Sequence, residues 1–108
     1  MADSYQIGQE RAADRTATIL RPSGELDINA RDDLRASILE ALDEPGGDKR
    51  GVVVDLAGVT FIDSEALGAL IDGYNAAVSL DACFRVVNAT GPVARVLTVS
   101  GAQELFDS

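Results

Sequence analysis

Residues 51–68 of the chain read GVVVDLAGVTFIDSEALG, in which a strand pattern is followed by a helix pattern. The valine run at 52–54 is typical of a central strand that is covered on both faces of a sheet. After the Ala57-Gly58 turn and a short apolar segment, the pattern becomes helical at Asp63-Ser64. The apolar residues that follow recur at the spacings of an amphipathic helix: Leu67, Leu70, Ile71, Tyr74 and Val78. We therefore predict a buried strand that leads into a helix.

The segments before this stretch predict two strands. Residues 5–11 alternate weakly between polar and apolar side chains, and residues 16–21 are rich in β-branched residues. Pro22, Ser23 and Gly24 are expected to stop the second strand. Because a short polar connection separates the two strands, they predict an N-terminal hairpin.

A helix is predicted after the hairpin. Asn29 is its expected N-cap, and Asp32 and Asp33 are expected in its first turn, where the helix dipole favours negative charge. Its apolar stripe consists of Leu34, Ile38 and Leu42, with Leu39 and Ala41 at the margins. The proline and glycines of segment 44–48 are expected to end it.

The C-terminal part predicts one further strand, one helix and a short tail. The strand spans residues 82–88, and Thr90-Gly91-Pro92 opens the helix, with proline near its first turn. Gly101 is expected to end this helix. The residues expected to be buried in the helix and tail are Val93, Val96, Leu97, Leu105 and Phe106.

These elements predict an α/β fold with the order β-β-α-β-α-β-α. The chain, at 108 residues, has room for one hydrophobic core, so we expect a single domain over residues 1–108. The strand–helix–strand unit from 52 to 88 is expected to be a right-handed parallel crossover. Since the opening hairpin is antiparallel, the sheet is expected to be mixed, with the first two helices covering one of its faces.

The charge balance disfavours several kinds of partner. The formal net charge is −9, with 18 acidic residues against 9 lysines and arginines. Direct binding to nucleic acid and to an anionic membrane surface both need basic residues, so neither is expected. A protein with a basic face would be attracted instead, although excess acid also simply keeps a protein soluble.

Other sequence features indicate the cytoplasm. Cys83 is the only cysteine, and its apolar surroundings predict a buried thiol in a reducing compartment. The first ten residues lack the basic and apolar regions of a secretory signal. The longest run of apolar residues and glycine, 66–71, is far too short to insert into a membrane.

The chain offers little for catalysis. It has no histidine and one cysteine, which exclude a Ser-His-Asp or Cys-His arrangement and a zinc site. Gly46-Gly47 lacks the lysine context of a phosphate-binding loop. Asp55 and Asp63 could pair for acid–base work, but scattered surface acids are far commoner. We expect no enzyme activity, no metal and no cofactor.

Ser64 is the residue with the clearest functional interpretation. It falls where a helix N-cap belongs, and a capping serine stabilises a helix by about 1 kcal/mol. Alternatively, its hydroxyl lies at the exposed mouth of a strand–helix turn and accepts a phosphate group. Spacing alone favours the capping role.

At this point the residues resemble a known family. Nearly the whole chain is similar to a STAS domain of the anti-sigma factor antagonist type. Three stretches carry the resemblance in the expected order: 24–27 (GELD); 53–56 (VVDL) through 61–64 (FIDS) and Leu67-Gly68; and 86–88 (VVN) through Val96-Leu97 and Ser100-Gly101 to Leu105-Phe106.

The resemblance implies a partner-switching cycle. In that family the unphosphorylated antagonist binds an anti-sigma factor that is also a serine kinase, and so frees a sigma factor. The kinase phosphorylates the serine after the aspartate of an Asp-Ser motif, and a serine phosphatase reverses this. By position Ser64 matches the phosphoacceptor. The expected partner-binding residues are Asp27, Asp63, Ser64, Glu65, Leu67 and Gly68, and the nucleotide belongs to the kinase.

Glu65-Ala66 departs from the Ser/Thr-Gly that members of the family commonly have after the phosphoacceptor. This departure keeps a second hypothesis open: a STAS-like scaffold, either in a stress-signalling assembly or as a subunit of a membrane transport complex. In that case Ser64 is only a helix cap.

Overall fold

The computed structural model describes residues 5–11, 17–43 and 51–107. In these ranges the elements are β1 (Tyr5–Arg11), β2 (Ala17–Leu26), α1 (Ile28–Leu42), β3 (Gly51–Asp55), β4 (Gly58–Ile62), α2 (Ser64–Ser79), β5 (Cys83–Val87), α3 (Gly91–Ser100) and α4 (Ala102–Asp107). The predicted α/β class with a mixed sheet is confirmed, and the order gains two short elements, β4 and α4. The helix-breaking segment 44–48 and the hairpin connection lie outside the described residues.

The sheet is built around β2 and β3. Strand β1 pairs antiparallel with β2, from Tyr5 opposite Gly24 to Arg11 opposite Thr18, which confirms the predicted hairpin. On its other side β2 pairs in parallel with β3, and β3 pairs in parallel with β5. The path is therefore β1-β2-β3-β5, with β4 beside the second half of β2.

Strand β2 is longer than predicted, because Pro22 does not stop it. On the side away from β1, its pairing with β3 ends at Leu20 and its pairing with β4 begins at Ser23. Pro22 lies between these two ladders, where its missing N–H removes no hydrogen bond to either strand. The chain therefore stays extended to Leu26, with a register shift between Gly24 and Glu25.

Strand β4 was missed by the sequence prediction. Its buried residues are Val59 and Ile62, three positions apart, so the segment lacks the two-residue alternation of a half-buried strand. It is a strand because the second half of β2 offers it an unpaired edge. This pairing determines where the following helix begins.

The core lies between the sheet and helices α1 and α2. Val52 and Val54 of β3 are buried, but Val53, between them, is only half-buried. The prediction that both faces of this strand are covered is therefore wrong. Successive side chains of a strand point to opposite faces, and within the described ranges the helices bury only one of these.

The N-cap of helix α1 lies two residues before the predicted one. Its N-cap is Asp27, and Asn29 is the second helical residue, whose N–H donates to Asp27 Oδ1 at 2.9 Å. Asp32 and Asp33 consequently lie beyond the first turn. The predicted stripe is confirmed, since Leu34, Ile38 and Leu42 are all buried; Ala41 is also buried, whereas Leu39 is exposed.

The C-terminal helices close one end of the core. Helix α3 begins at Gly91-Pro92 and ends at Gly101, whose φ of 83° is the left-handed conformation that glycine adopts easily, as predicted. Phe106 of α4 is buried and packs against Tyr74 and Phe84, with ring centroids 6.2 Å and 5.7 Å away. Of the residues that were predicted to be buried in this region, Val93, Leu97 and Phe106 are buried. The other two, Val96 and Leu105, are half-buried.

Two residues that were predicted to be buried are exposed. Cys83 is exposed, because it begins edge strand β5 on the face that the helices leave uncovered. Val78 is 60% exposed, because it lies near the end of α2, where the apolar stripe has already left the core. No helix in the described residues has both the length and the apolar character needed to cross a bilayer.

Candidate functional site

The N-termini of α1 and α2 lie side by side at one edge of the sheet. Leu26, the last residue of β2, pairs with Ile62, the last residue of β4. The backbone N–H of Asp63 then donates to the Leu26 carbonyl oxygen, with an N···O distance of 3.0 Å. Because each strand leads directly into its helix, this pairing brings Asp27 and Asp63 to the same surface.

Both helices are capped by aspartate. Asp63 Oδ1 accepts a hydrogen bond from the N–H of Ala66 at 2.9 Å, as Asp27 Oδ1 does from Asn29 in α1. Ser64 is therefore the first helical residue and not the cap, so the prediction of a capping serine is wrong. The Asp63 carboxylate reaches the N–H of the third residue ahead, Ala66. This N–H lies in the first turn of the helix and would otherwise be unpaired.

The Ser64 side chain is exposed at the start of α2. Within the described part of the chain its hydroxyl makes no hydrogen bond, and the capping role belongs to Asp63. The hydroxyl is thus accessible to a second molecule. Ala66, two residues later, is fully buried. The alanine that stands where members of the family commonly have glycine therefore packs its side chain into the core.

Glu65 is paired across the two helices. Arg31, in the first turn of α1, has a guanidinium Nη1 that lies 3.1 Å from Glu65 Oε1. The Nε atom of the same guanidinium lies 3.2 Å from Oδ1 of Asp32. The negative charge beside Ser64 is therefore partly compensated by an arginine, a contact that the sequence could not indicate because Arg31 and Glu65 are 34 positions apart.

A groove lies between the start of α2 and the outer face of α3. We name it the Ser64 groove, and its volume is about 400 Å³. Its lining is mainly apolar, with Ser64 and Arg95 among the polar residues: Ile62, Ser64, Leu67, Arg95, Val96, Val99 and Ser100. Val99 is 78% exposed. The sequence did not indicate that residues of α3 lie beside Ser64.

The remaining predicted partner-binding residues differ in accessibility. Leu67 is only 7% exposed and contributes to both the core and the floor of the Ser64 groove. Gly68 is half-buried, with no atom within 4 Å of the position a Cβ would take. Two apolar residues that were not predicted are exposed nearby: Ile28, directly after Asp27, at 53%, and Phe61, two residues before Asp63, at 46%.

Asp55 and Asp63 have different hydrogen-bond partners among the described residues. Asp55 Oδ1 accepts hydrogen bonds from the Ala57 N–H at 3.0 Å and from the Asn88 amide at 3.1 Å. Arg21 approaches its other oxygen at 3.4 Å. The Ala57 N–H, then the Asn88 amide and Arg21, hold the pKa of Asp55 below its usual value, while partial burial opposes them.

This network of hydrogen bonds connects two backbone turns. It ties the β3–β4 turn, through Ala57, to the residue after β5, through Asn88, whose φ is 62°. Asparagine tolerates this left-handed conformation better than most residues. Asp55 therefore helps to position β4, the strand that leads into the helix beginning at Ser64.

Comparison with known proteins gives relatives across almost the whole chain. The model of the STAS domain family matches residues 9–108. A STAS-domain containing protein of Pseudomonas aeruginosa is 31% identical over 101 residues, covering 88% of this chain and 90% of that protein.

Solved structures share the fold. An anti-sigma factor antagonist from Mycobacterium paratuberculosis is 27% identical and covers 95% of this chain and 83% of its own, with a TM-score of 0.78. The phosphorylated form of the Bacillus cell fate determinant SpoIIAA is 20% identical, covering 92% of this chain and 86% of its own, with a TM-score of 0.69. A sulfate transporter family protein from Wolinella succinogenes is 14% identical, covering 88% and 79%, with a TM-score of 0.70. Since the family model spans most of the sequence and the fold agrees, the chain belongs to the STAS domain family.

Proposed function

We propose that this protein is a cytoplasmic anti-sigma factor antagonist whose binding is switched at Ser64. Unphosphorylated, it binds an anti-sigma factor that is also a serine kinase, and this frees a sigma factor. Phosphorylation of Ser64 releases it, and a serine phosphatase restores it. One observation carries the proposal: Ser64 is exposed, has no hydrogen-bond partner in the described residues, and lines an apolar groove.

The chemical step belongs to the kinase. The γ-phosphoryl group of ATP passes to Oγ of Ser64, the bond to the leaving ADP breaks, and the hydroxyl proton goes to a base on the kinase or to water. This protein contributes the acceptor hydroxyl and its surroundings. We therefore propose that it acts as a binding protein and not as an enzyme.

Apolar side chains around Ser64 support a docking surface. Ile28, Phe61 and Val99 are all exposed, and Val99 borders the Ser64 groove directly. Exposed apolar residues beside a shaped groove are typical of protein–protein contacts. The acidic Asp27, Asp63 and Glu65 around them favour a partner with basic residues at the rim of its interface.

The switch must act through the interface. A phosphate adds about −1.5 to −2 charges near neutral pH, and changing a mostly bound partner into a mostly free one takes about 5.5 kcal/mol. Repulsion from Asp63 and Glu65 is present in the free and bound states alike, so it contributes little to release. Covering a dianion with a packed partner removes its water, and this penalty together with steric conflict supplies the difference.

Binding measurements with variants of Ser64 test the proposal. Purified anti-sigma factor kinases from the same genome are titrated with the wild type, Ser64→Ala and Ser64→Asp, and mass spectrometry after incubation with ATP locates any phosphate. We expect Ser64→Ala to bind like the wild type but to resist release by ATP, and Ser64→Asp to bind more weakly.

The matched control for this test is Ser79→Asp. Ser79 is the exposed last residue of the same 16-residue helix, about 22 Å away along its axis. It adds the same charge outside the proposed surface and is expected to leave the affinity unchanged. Unchanged affinity for Ser64→Asp, or a wild-type protein that no such kinase modifies, would refute the phosphorylation switch.

A scaffold function is the second candidate. The same fold occurs in a sulfate transporter family protein, and Glu65-Ala66 departs from the pattern of phosphorylated antagonists. In this role the protein would be a subunit of a transport or stress-signalling complex, and Ser64 would have neither a switching nor a capping function, since Asp63 is the cap. Capture of a transporter, with full activity in vivo for Ser64→Ala, would favour it.

A further inference from the structure

Arg95 is the only cationic residue that lines the Ser64 groove among the described residues. It lies on α3, one helical turn before Val99, so both side chains are on the same face of the helix. Arg95 is exposed and forms no ion pair or hydrogen bond within the described ranges. An unpaired arginine therefore shares a groove with the proposed phosphoacceptor.

Other arginines near the site are already engaged. Arg31 contacts both Glu65 and Asp32, and Arg35 lies 3.8 Å from Asp72. Arg21, on β2, is paired with Glu10 of β1 and with Asp55, the last residue of β3. Of the cations on α1 and α3 beside Ser64, only Arg95 can pair with a new anion without giving up an existing carboxylate partner.

We propose that Arg95 pairs with the phosphate of phosphorylated Ser64 and closes the Ser64 groove, an inference that rests on the proposed phosphorylation. A guanidinium binds a phosphate through two parallel hydrogen bonds, which makes arginine the preferred partner of phosphoserine. Its aliphatic stem would lie along Val96 and Val99 and cover apolar surface. The phosphorylated protein then lacks the open groove into which a partner docks, in addition to carrying the charge.

The surrounding charges are the same with and without Arg95. Asp63 and Glu65 from α2 and Asp27 from α1 disfavour the dianionic form of the phosphate, whereas Arg31, paired with Glu65, opposes them. These groups therefore shift the pKa of the phosphate equally in the wild type and in a variant that lacks only Arg95. A difference between the two proteins reports the contribution of Arg95.

The test places phosphoserine at position 64 by genetic encoding, so it needs neither a kinase nor a binding partner. The pKa for the second ionisation of the phosphate is measured by ³¹P NMR in the otherwise wild-type protein and in Arg95→Gln, Arg31→Gln and Arg85→Gln. Arg85 is the matched control, because it is exposed and unpaired in the described residues but lies on β5, outside the groove. The Arg95 Nε–H resonance is followed in parallel by ¹H–¹⁵N NMR.

We expect Arg95→Gln to raise the pKa of the phosphate by about half a pH unit, as for an exposed ion pair, and Arg85→Gln to leave it unchanged. Phosphorylation should also move the Arg95 Nε–H resonance. Equal pKa values in Arg95→Gln and the wild type, or a larger effect from Arg31→Gln, would overturn the pairing with Arg95. Either result would leave the Ser64 switch intact, since partner release is measured separately.

Discussion

The guanidinium of Arg31 lies 3.1 Å from the carboxylate of Glu65, and this ion pair joins the first turns of α1 and α2 beside Ser64. Both side chains are about half exposed, so the pair acts in a solvated environment. It explains how a glutamate is accommodated directly after the proposed phosphoacceptor. The surface around Ser64 is thus built by two helices and not by the Asp-Ser motif alone.

A double-mutant cycle of Arg31→Gln and Glu65→Gln measures this contact. We expect a coupling energy of about 0.2–1 kcal/mol in urea denaturation, as for exposed ion pairs, and a smaller value at high salt. The matched cycle is Arg35→Gln with Asp72→Asn, whose atoms are 3.8 Å apart on the same two helices. A coupling energy at low salt that is no larger for Arg31–Glu65 than for this longer pair would contradict the expectation.

Removing the N-cap of α2 should destabilise the protein more than removing the Ser64 hydroxyl. Asp63→Ala deletes the acceptor for the Ala66 N–H and should lower the free energy of unfolding by about 1 kcal/mol. Ser64→Ala removes a side chain with no hydrogen bond in the described residues and is expected to change stability by less than about 0.5 kcal/mol. Urea denaturation of the two variants, monitored by circular dichroism, measures both. If Ser64→Ala were the more damaging change, Ser64 and not Asp63 would be the cap.

Two glycines of α2 should respond in opposite ways to alanine. A Cβ at Gly73 would lie 2.7 Å from Ile38 Cγ2 and 3.2 Å from Phe84 Cε2, in the packed core. Overpacking costs about 1–3 kcal/mol and outweighs the helix propensity of alanine, so Gly73→Ala should destabilise by about 1 kcal/mol.

Gly68→Ala is the matched variant in the same helix. Apart from its chain neighbours and the adjacent backbone of its own helix, no atom lies within 4 Å of the added Cβ. We therefore expect a gain of about 0.5–1 kcal/mol from the lower flexibility of the unfolded chain and the better propensity. Thermal unfolding of both proteins separates the two effects. A stabilised Gly73→Ala variant would show that α1 can move away from α2 without cost.

Stability should decrease in acid partly through Asp55. Its hydrogen bonds to the Ala57 N–H and the Asn88 amide lower its pKa below the ordinary 3.8, because they favour the charged form. A carboxyl group with a lowered pKa stabilises the folded state fully above its unfolded pKa, and this contribution is lost as the pH falls through the folded pKa. The advantage of the wild type over Asp55→Asn should therefore shrink between about pH 6 and about pH 3 in urea denaturation. A difference that is constant over this range would contradict the lowered pKa.

Val99 should contribute to partner binding although it is the most exposed of the large hydrophobic residues in the described chain. Val99→Asp places a charge at the rim of the Ser64 groove and should weaken binding of an anti-sigma factor about tenfold or more, equivalent to about 1.4 kcal/mol. Val78→Asp is the control, since Val78 is also exposed but lies near the far end of α2. Equal affinities of the two variants, measured by isothermal titration calorimetry, would show that α3 is not part of the interface.

Local patterns predicted most of the elements. The β-branched run at 16–21, the valine run at 52–54 and the helical spacing after Asp63 each indicated the correct element, because residue type and periodicity within one segment favour it there. Predictions were wrong where pairing between distant strands decided the outcome. Pro22 stays within β2 because it falls between two ladders, and β4 is a strand because β2 offers it a free edge.

The composition of the core, the order of most elements and the Asp63-Ser64 motif at the head of α2 could be predicted from the sequence, because these depend on periodicity and residue type along one segment. Three features depend on the tertiary structure. Asp63 caps the helix, Arg31 lies against Glu65, and Arg95 and Val99 line the same groove as Ser64. These contacts join residues brought together by the parallel pairing of β2 with β4 and by the packing of α3. Spacing along the chain carries no information about such distances, since they are set by how the elements fold against one another.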